Sequence, residues 1–226
     1  MSVDTTNLPE GIGWMHPHDV SRGTIGETES GLLFIRGDDR ALLGPRPRVG
    51  IVGSRAATAY GMNVAGSFAS VLAMRGVTVV SGGAYGIDAA AHRGALPAGR
   101  TICVLACGAD RVYPAAHKDL INAIATSPGS AVVSGVEPGA VPMRSRLLAR
   151  NGIIAGMVDA IIVVEASLRS GAMNAATHAI DRGVPVYAVP GPITSVASAG
   201  THLLIADGRA KILTDVHDLD LSQIGA

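Results

Sequence analysis

From Arg48 onward, short apolar runs alternate with helix-length stretches, and this alternation limits the fold more than any other feature. The runs are Val49–Val52, Val77–Val80, Ile102–Ala106, Ala131–Val133, Ile161–Val164 and Val186–Val189, with a weaker one at Lys211–Leu213. Runs that are apolar throughout read as strands buried on both faces. The stretches between them are roughly Gly61–Arg75, Ile87–Ala95, Ala116–Thr126, Arg144–Met157, Ala172–Arg182 and Thr201–Asp207. In the first, Val64, Phe68, Val71 and Leu72 share a helical face, and Gly76 reads as the stop. Strand–helix–strand units with right-handed crossovers predict a doubly wound α/β fold, a mostly parallel sheet with helices on both faces. The expected division is an N-terminal extension over 1–45, a core domain over 46–216 and a C-terminal tail over 217–226. Gly31–Asp39 holds a candidate edge strand, and Leu42–Arg48 reads as a rigid linker.

Composition narrows the ligand classes. The chain has 226 residues, 48% of them hydrophobic, so one large core is available. Its formal net charge is zero, so no global basic field announces nucleic acid. Any anion site must be local. Only Lys118 and Lys211 are lysines among 18 basic residues, which leaves phosphate contacts to arginine, with its bidentate geometry. Cys103 and Cys107 fall in one apolar run. Along a strand they would lie about 13 Å apart, too far for a disulfide, and they read as core thiols in a reducing compartment. No apolar run reaches the ~18 residues of a membrane span, and the N-terminus lacks a signal-peptide pattern. A cytoplasmic protein is the expectation.

Two glycine turns follow the first two strands: Gly53-Ser54-Arg55, and Ser81-Gly82-Gly83 before a helix. Turns there lie at the carboxyl edge of the sheet, where open α/β folds hold ligands. Arg55 projects from that edge toward a phosphate. Ser81, Gly82 and Gly83 are expected to offer backbone N–H groups, beside a helix N-terminus. The dinucleotide fingerprint, the phosphate loop of ATPases and the hydrolase nucleophile elbow are all missing. Asp88 and His92, one helical turn apart, read as a structural pair. Arg144, Arg146 and Arg150, followed by Asn151, are the one local basic cluster and a candidate phosphate grip. Glu165 ends a strand and is expected to position Arg55 or Arg150. Ser170-Gly171 open the next helix. His16 and His18 stand alone, and no metal site or cofactor is assigned.

Seven segments carry a resemblance: GIVGSR, SGGAYGIDAAAHRGAL, VLACGADRVYP, RNGIIAG, IIVVEASLRSGA, VYAVPG and SAGTHLLIADG, in order from about Gly31 to Asp215. Together they resemble the DprA/Smf family of DNA-processing proteins. The resemblance implies a Rossmann-like core that binds single-stranded DNA, loads a RecA-type recombinase in natural transformation and forms a homodimer. It implies a DNA site of Gly53, Ser54, Arg55, Ser81, Gly82, Gly83, Arg144, Arg146, Arg150, Asn151, Ser170 and Gly171, with no covalent chemistry. The chain would be a minimal core, without the family's flanking domains. It departs from the family pattern Phe-Pro-Arg-Arg-Asn-Arg, reading Leu147-Leu148-Ala149-Arg150-Asn151-Gly152, and has His202 where the family has Asn. The alternative is a nucleotide-binding or nucleotide-hydrolysing relative, akin to the phosphoribohydrolases. The Pro-Gly-Gly-x-Gly-Thr-x-x-Glu signature of those enzymes is not in register here.

Overall fold

The computed structural model describes residues 5–20, 25–26, 28–44 and 47–221. Among them nine strands form one sheet: β1 (Ile12–Met15), β2 (Leu33–Gly37), β3 (Arg48–Val52), β4 (Thr78–Gly82), β5 (Thr101–Leu105), β6 (Ala131–Ser134), β7 (Ala160–Val163), β8 (Val186–Ala188) and β9 (Lys211–Ile212). The helices are α1 (Arg40–Leu43), α2 (Ala59–Met74), α3 (Ile87–Ala95), α4 (Lys118–Thr126), α5 (Arg144–Met157), α6 (Gly171–Asp181) and α7 (Ala199–Ala206). Strand order is β1-β2-β6-β5-β4-β3-β7-β8-β9. The seven strands from β6 to β9 in that order pair in parallel. The doubly wound α/β fold expected from the alternation is therefore present.

The winding sets the position of the site. β3 starts in the middle, and β4, β5 and β6 are added to one side. α5 then carries the chain back across the sheet to β7. Alternate residues of each strand feed two cores. On one face Val49, Ile51 and Val79 pack against Ala65, Leu72 and Ala91 of α2 and α3. Beyond them Cys103, Leu105 and Val132 pack against Ile121 and Ile124 of α4. On the other face Val80, Val104 and Val163 meet Ile154 of α5, Ala176 of α6 and Leu204 of α7. α2 and α3 touch backbone to backbone, because a Cβ on Gly94 would lie 2.1 Å from the Gly66 carbonyl oxygen. Both cysteines are free and buried, and burial pushes their thiols up, to about 12 for Cys103 and about 11 for Cys107.

The N-terminal segment differs from the expectation. Ile12–Met15 is a strand, although residues 1 to 30 show no clear periodicity. Four residues, one of them glycine, are too few to display a period of two. β1 pairs antiparallel with β2, which pairs antiparallel with β6. The Gly31–Asp39 segment therefore contributes an inner strand, and β1 is the edge. Within the expected linker, α1 buries Leu42. Pro45 and Arg46, and with them the expected boundary between 45 and 46, lie outside the described residues, as do residues 222–226 of the tail. Among the described residues no helix is long and apolar enough to cross a membrane.

Candidate functional site

β3 has β4 on one side and β7 on the other, so the direction of winding switches at its carboxyl end. A cleft of about 500 Å³ opens there, as is usual in open α/β sheets. Arg55, Arg144, Arg150 and Arg169 line it, with Gly53, Ser54, Asn151, Ser170 and Gly171. Arg55, Arg144 and Arg169 are exposed, and none has a hydrogen bond or ion pair among the described residues. The start of α6 forms part of the wall. Ser170 is its N-cap residue, yet its buried hydroxyl caps nothing and has no partner among the described residues. Free N–H groups at a helix start attract anions.

Arg150 is held differently. It is buried at 6% exposure, although it was expected as a phosphate ligand on a helix face. Its Nη1 donates to the Val104 carbonyl at 3.2 Å and lies 3.6 Å from Oδ2 of Asp88, which is also buried. The guanidinium lies flat on Gly82, where a Cβ would fall 1.1 Å from Nη1. Gly82 therefore admits a side chain of the same protein. Ser81 and Gly82 are the last residues of β4 and not part of a turn, and all of Ser81–Gly83 is buried. The Ser81 hydroxyl donates to the Ile51 carbonyl at 2.6 Å, Nε2 of His92 bonds the Gly82 carbonyl at 2.9 Å, and Nδ1 of His117 bonds the Gly83 carbonyl at 3.0 Å. The expectation of a turn open to a ligand is corrected for Ser81 and Gly82, which strand pairing and Arg150 enclose, whereas Gly83 lines a recess beside the cleft.

Three further expectations are revised. Asp88 and His92 do not bond each other. His92 bonds Thr101 at 2.7 Å and Gly82, and burial lowers its ring to about 4, so it is neutral near pH 7. Burial raises the Asp88 carboxyl, with the Arg150 charge and the Ala84 N–H acting against that. Arg146 does not line the cleft. It grips Glu29 bidentately, the shorter contact at 2.6 Å, and donates to the Val141 carbonyl at 2.7 Å. That contact holds the Glu29 carboxyl below its ordinary range. Glu165 bonds neither arginine directly. Its Oε1 accepts from the Thr58 hydroxyl at 2.6 Å and its Oε2 from the Thr58 N–H at 2.9 Å, so it fixes the loop that carries Arg55. Asn151 donates to the Gly171 carbonyl at 3.1 Å and to Asn174 at 3.0 Å, tying α5 to the start of α6.

Three residues of the site escape sequence reasoning. Arg169 sits directly before Ser170-Gly171, a position legible once that pair is read as a helix start. Tyr85 and Tyr113 are 48% and 42% exposed. With Pro114 and Leu147 they line a recess of about 100 Å³ that shares Arg55, Ala84, Leu147 and Arg150 with the cleft. The Tyr85 ring meets His117 edge-on, with centroids 4.8 Å apart. Tyr85 and Tyr113 thus place two aromatic rings in the same recess as Leu147.

The model of the DNA recombination-mediator protein A family matches residues 20–222. The chain belongs to that family. One relative, a Mycobacterium tuberculosis protein assigned as a DNA processing protein DprA, is 51% identical over 170 residues, covering 75% of this chain. The chain spans 43% of that relative's length. Two solved structures share the fold at a TM-score of 0.83. DNA processing protein A from Helicobacter pylori, described for its single-stranded DNA binding mode, is 29% identical and covers 92% of this chain and 93% of its own. The Streptococcus pneumoniae DprA is 36% identical and covers 93% of this chain and 74% of its own.

Proposed function

We propose that this chain binds single-stranded DNA through the cleft at the end of β3, and acts in recombination by protecting the strand and loading a RecA-type recombinase. One observation carries the binding reading. Three arginines with no hydrogen bond or ion pair among the described residues surround a cleft whose wall also holds the N-terminus of α6. Phosphate oxygens satisfy all of these groups. Tyr85 and Tyr113 stand beside them, and aromatic faces stack unpaired bases of any sequence. The Helicobacter pylori relative, described for its single-stranded DNA binding, supports the same reading. The recombinase and a homodimer rest on the family resemblance. No cofactor is invoked.

Fluorescence anisotropy with a labelled oligothymidylate tests the site. A charge-assisted contact contributes about 1.5–3 kcal/mol, or roughly one to two decades in affinity. Arg55→Ala is therefore expected to weaken binding at least tenfold, on the order of one lost contact, with the melting temperature nearly unchanged. Arg144→Ala and Arg169→Ala should weaken it in the same direction. Arg146→Ala and Arg75→Ala should bind normally, because Arg146 is paired to Glu29 and Arg75 caps the far end of α2. Equal losses in Arg55→Ala and Arg75→Ala would remove the site from this edge.

A further inference from the structure

A carboxylate on the floor of a phosphate cleft is an anomaly. Asp88 lines the cleft beside Arg55 and Arg150, where its charge opposes an arriving phosphate. Its own hydrogen bonding is thin. Oδ2 accepts one N–H, from Ala84, at 3.3 Å, and stands 3.6 Å from Nη1 of Arg150, beyond hydrogen-bond length. The Ser81 hydroxyl donates to the Ile51 carbonyl at 2.6 Å and lies close enough to Asp88 to oppose the effect of burial on its carboxyl. Arg150 is also under-used: Nη1 has one carbonyl, and Nε is buried with no partner. The two groups neutralise each other without satisfying each other. Either will accept a better partner.

We propose that Asp88 is a proton-linked positioning residue: single-stranded DNA binds with uptake of one proton by the Asp88 carboxylate, so the grip tightens as pH falls. The inference rests on the DNA-binding reading above. When a phosphate draws on Arg150, two anions share one buried cation. Like charges in a low-dielectric site push a proton onto the weaker acid. A phosphodiester is the stronger acid, so the proton goes from solvent to an Asp88 oxygen. The protonated carboxyl then no longer repels the strand and releases Arg150 to it.

Most of the groups that face Asp88 keep one charge state across the pH range of the test. Arg150 on α5 and Arg55 after β3 stay charged. Ser81 on β4 does not ionise. The Cys103 thiol on β5 is pushed up to about 12. His92, one turn along α3, is lowered to about 4 and stays neutral until well below the range. His117, before α4, bonds the Gly83 carbonyl and is the remaining titratable neighbour. Burial raises the Asp88 carboxyl above its ordinary range.

The test is affinity for a rhodamine-labelled oligothymidylate, with the full chain at constant ionic strength, between about pH 8 and pH 5.5. Full linkage of one proton changes affinity by about tenfold per pH unit. The unmodified chain should tighten at least threefold across the range, about half a decade of that linkage. Asp88→Asn, which mimics the protonated acid, should bind at high pH as tightly as the unmodified chain does at low pH, with no slope. His117→Gln should keep the slope. A purely structural Asp88 gives the opposite result, weaker binding by Asp88→Asn at every pH, and overturns the proposal. So does a flat profile for the unmodified chain. If Asp88→Asn does not fold, calorimetry of the unmodified chain in buffers of different ionisation enthalpy counts the protons. Net uptake supports the proposal, and zero or net release overturns it. Binding that does not depend on pH defeats the proton linkage alone, whereas no binding at any pH defeats the DNA reading together with it.

Discussion

At Gly82 the absence of one atom determines where a charge lies. A methyl group there would occupy the place of Nη1 of Arg150. Gly82→Ala should therefore expel the guanidinium and strand Asp88, and losing one partner of a buried pair costs about 3–5 kcal/mol. Urea denaturation checks this, and a loss under about 1 kcal/mol, the scale of an ordinary surface-to-core adjustment, counts against it. His92 gives a pH signature. The ring titrates at 6.5 when unfolded and about 4 when folded. Between those values the unfolded chain binds more protons, so stability rises with pH. The His92 contribution is complete above about pH 6.5 and declines as pH falls toward 4, by about 2 kcal/mol at pH 5. The raised Asp88 acts in the opposite sense, so the measurement is the difference between the unmodified chain and His92→Gln at pH 7 and 5. An identical pH dependence in both excludes His92 as the cause. Single residues also show where reading a sequence stops. Arg55 was legible, because a side chain directly after a central strand has one way out. Arg146 was not, because its partner Glu29 is 117 positions away and belongs to a segment with no readable pattern. The same distance problem hid the partnership of Arg150 with Asp88.

Among the elements, the start of α2 controls the loop that carries Arg55. Thr58 caps the helix by accepting from the Gly61 N–H at 3.2 Å, and it donates to Glu165 at 2.6 Å. Gly61 leaves room for that carboxylate, since a Cβ there would lie 2.4 Å from it. Thr58→Val removes a cap contributing about 1 kcal/mol and one hydrogen bond to a charged group contributing about 1.5–3. A loss of roughly 2–4 kcal/mol is expected in denaturant melts, with Thr58→Ser close to the unmodified chain. If Thr58→Val melts normally, the cap has another support. The parallel strands β3 to β8 and the helices α2 to α7 were legible because the strands are apolar runs and the stretches between them are helix-length, whereas β9, two exposed residues, gave only a weak run. β1 was not, since four residues at a sheet edge carry almost no pattern. The tyrosines of the recess were overlooked for a different reason. Tyr85 and Tyr113 sit in loops after separate strands, and only the sheet brings them together.

For the whole molecule, a zero net charge and a local arginine cleft make binding electrostatic but short in reach. With three or four arginine–phosphate contacts, log K should fall against log[salt] with a slope of about −2 to −3, at about −0.7 per phosphate. A flat response would sink the phosphate grip. The stretch from Val184 to Leu213 exposes Ile193, Val196, Leu203 and Ile212, and we propose it as the surface that meets a second copy. Light scattering at tens of micromolar should then give twice the chain mass, and a strict monomer rules the pairing out. The Asp88–Arg150 pair has a mechanical consequence as well. Asp88 comes from a helix on one face and Arg150 from a helix on the other, and they meet beyond the strand ends. They act as a strap across the rim of the sheet. The two layers cannot swing apart like a hinged jaw without wetting two buried charges. On the DNA reading, a strand entering the cleft meets Arg55, Arg144 and Arg169 at its lip first, and drawing on Arg150 then loosens the strap that holds the two layers together.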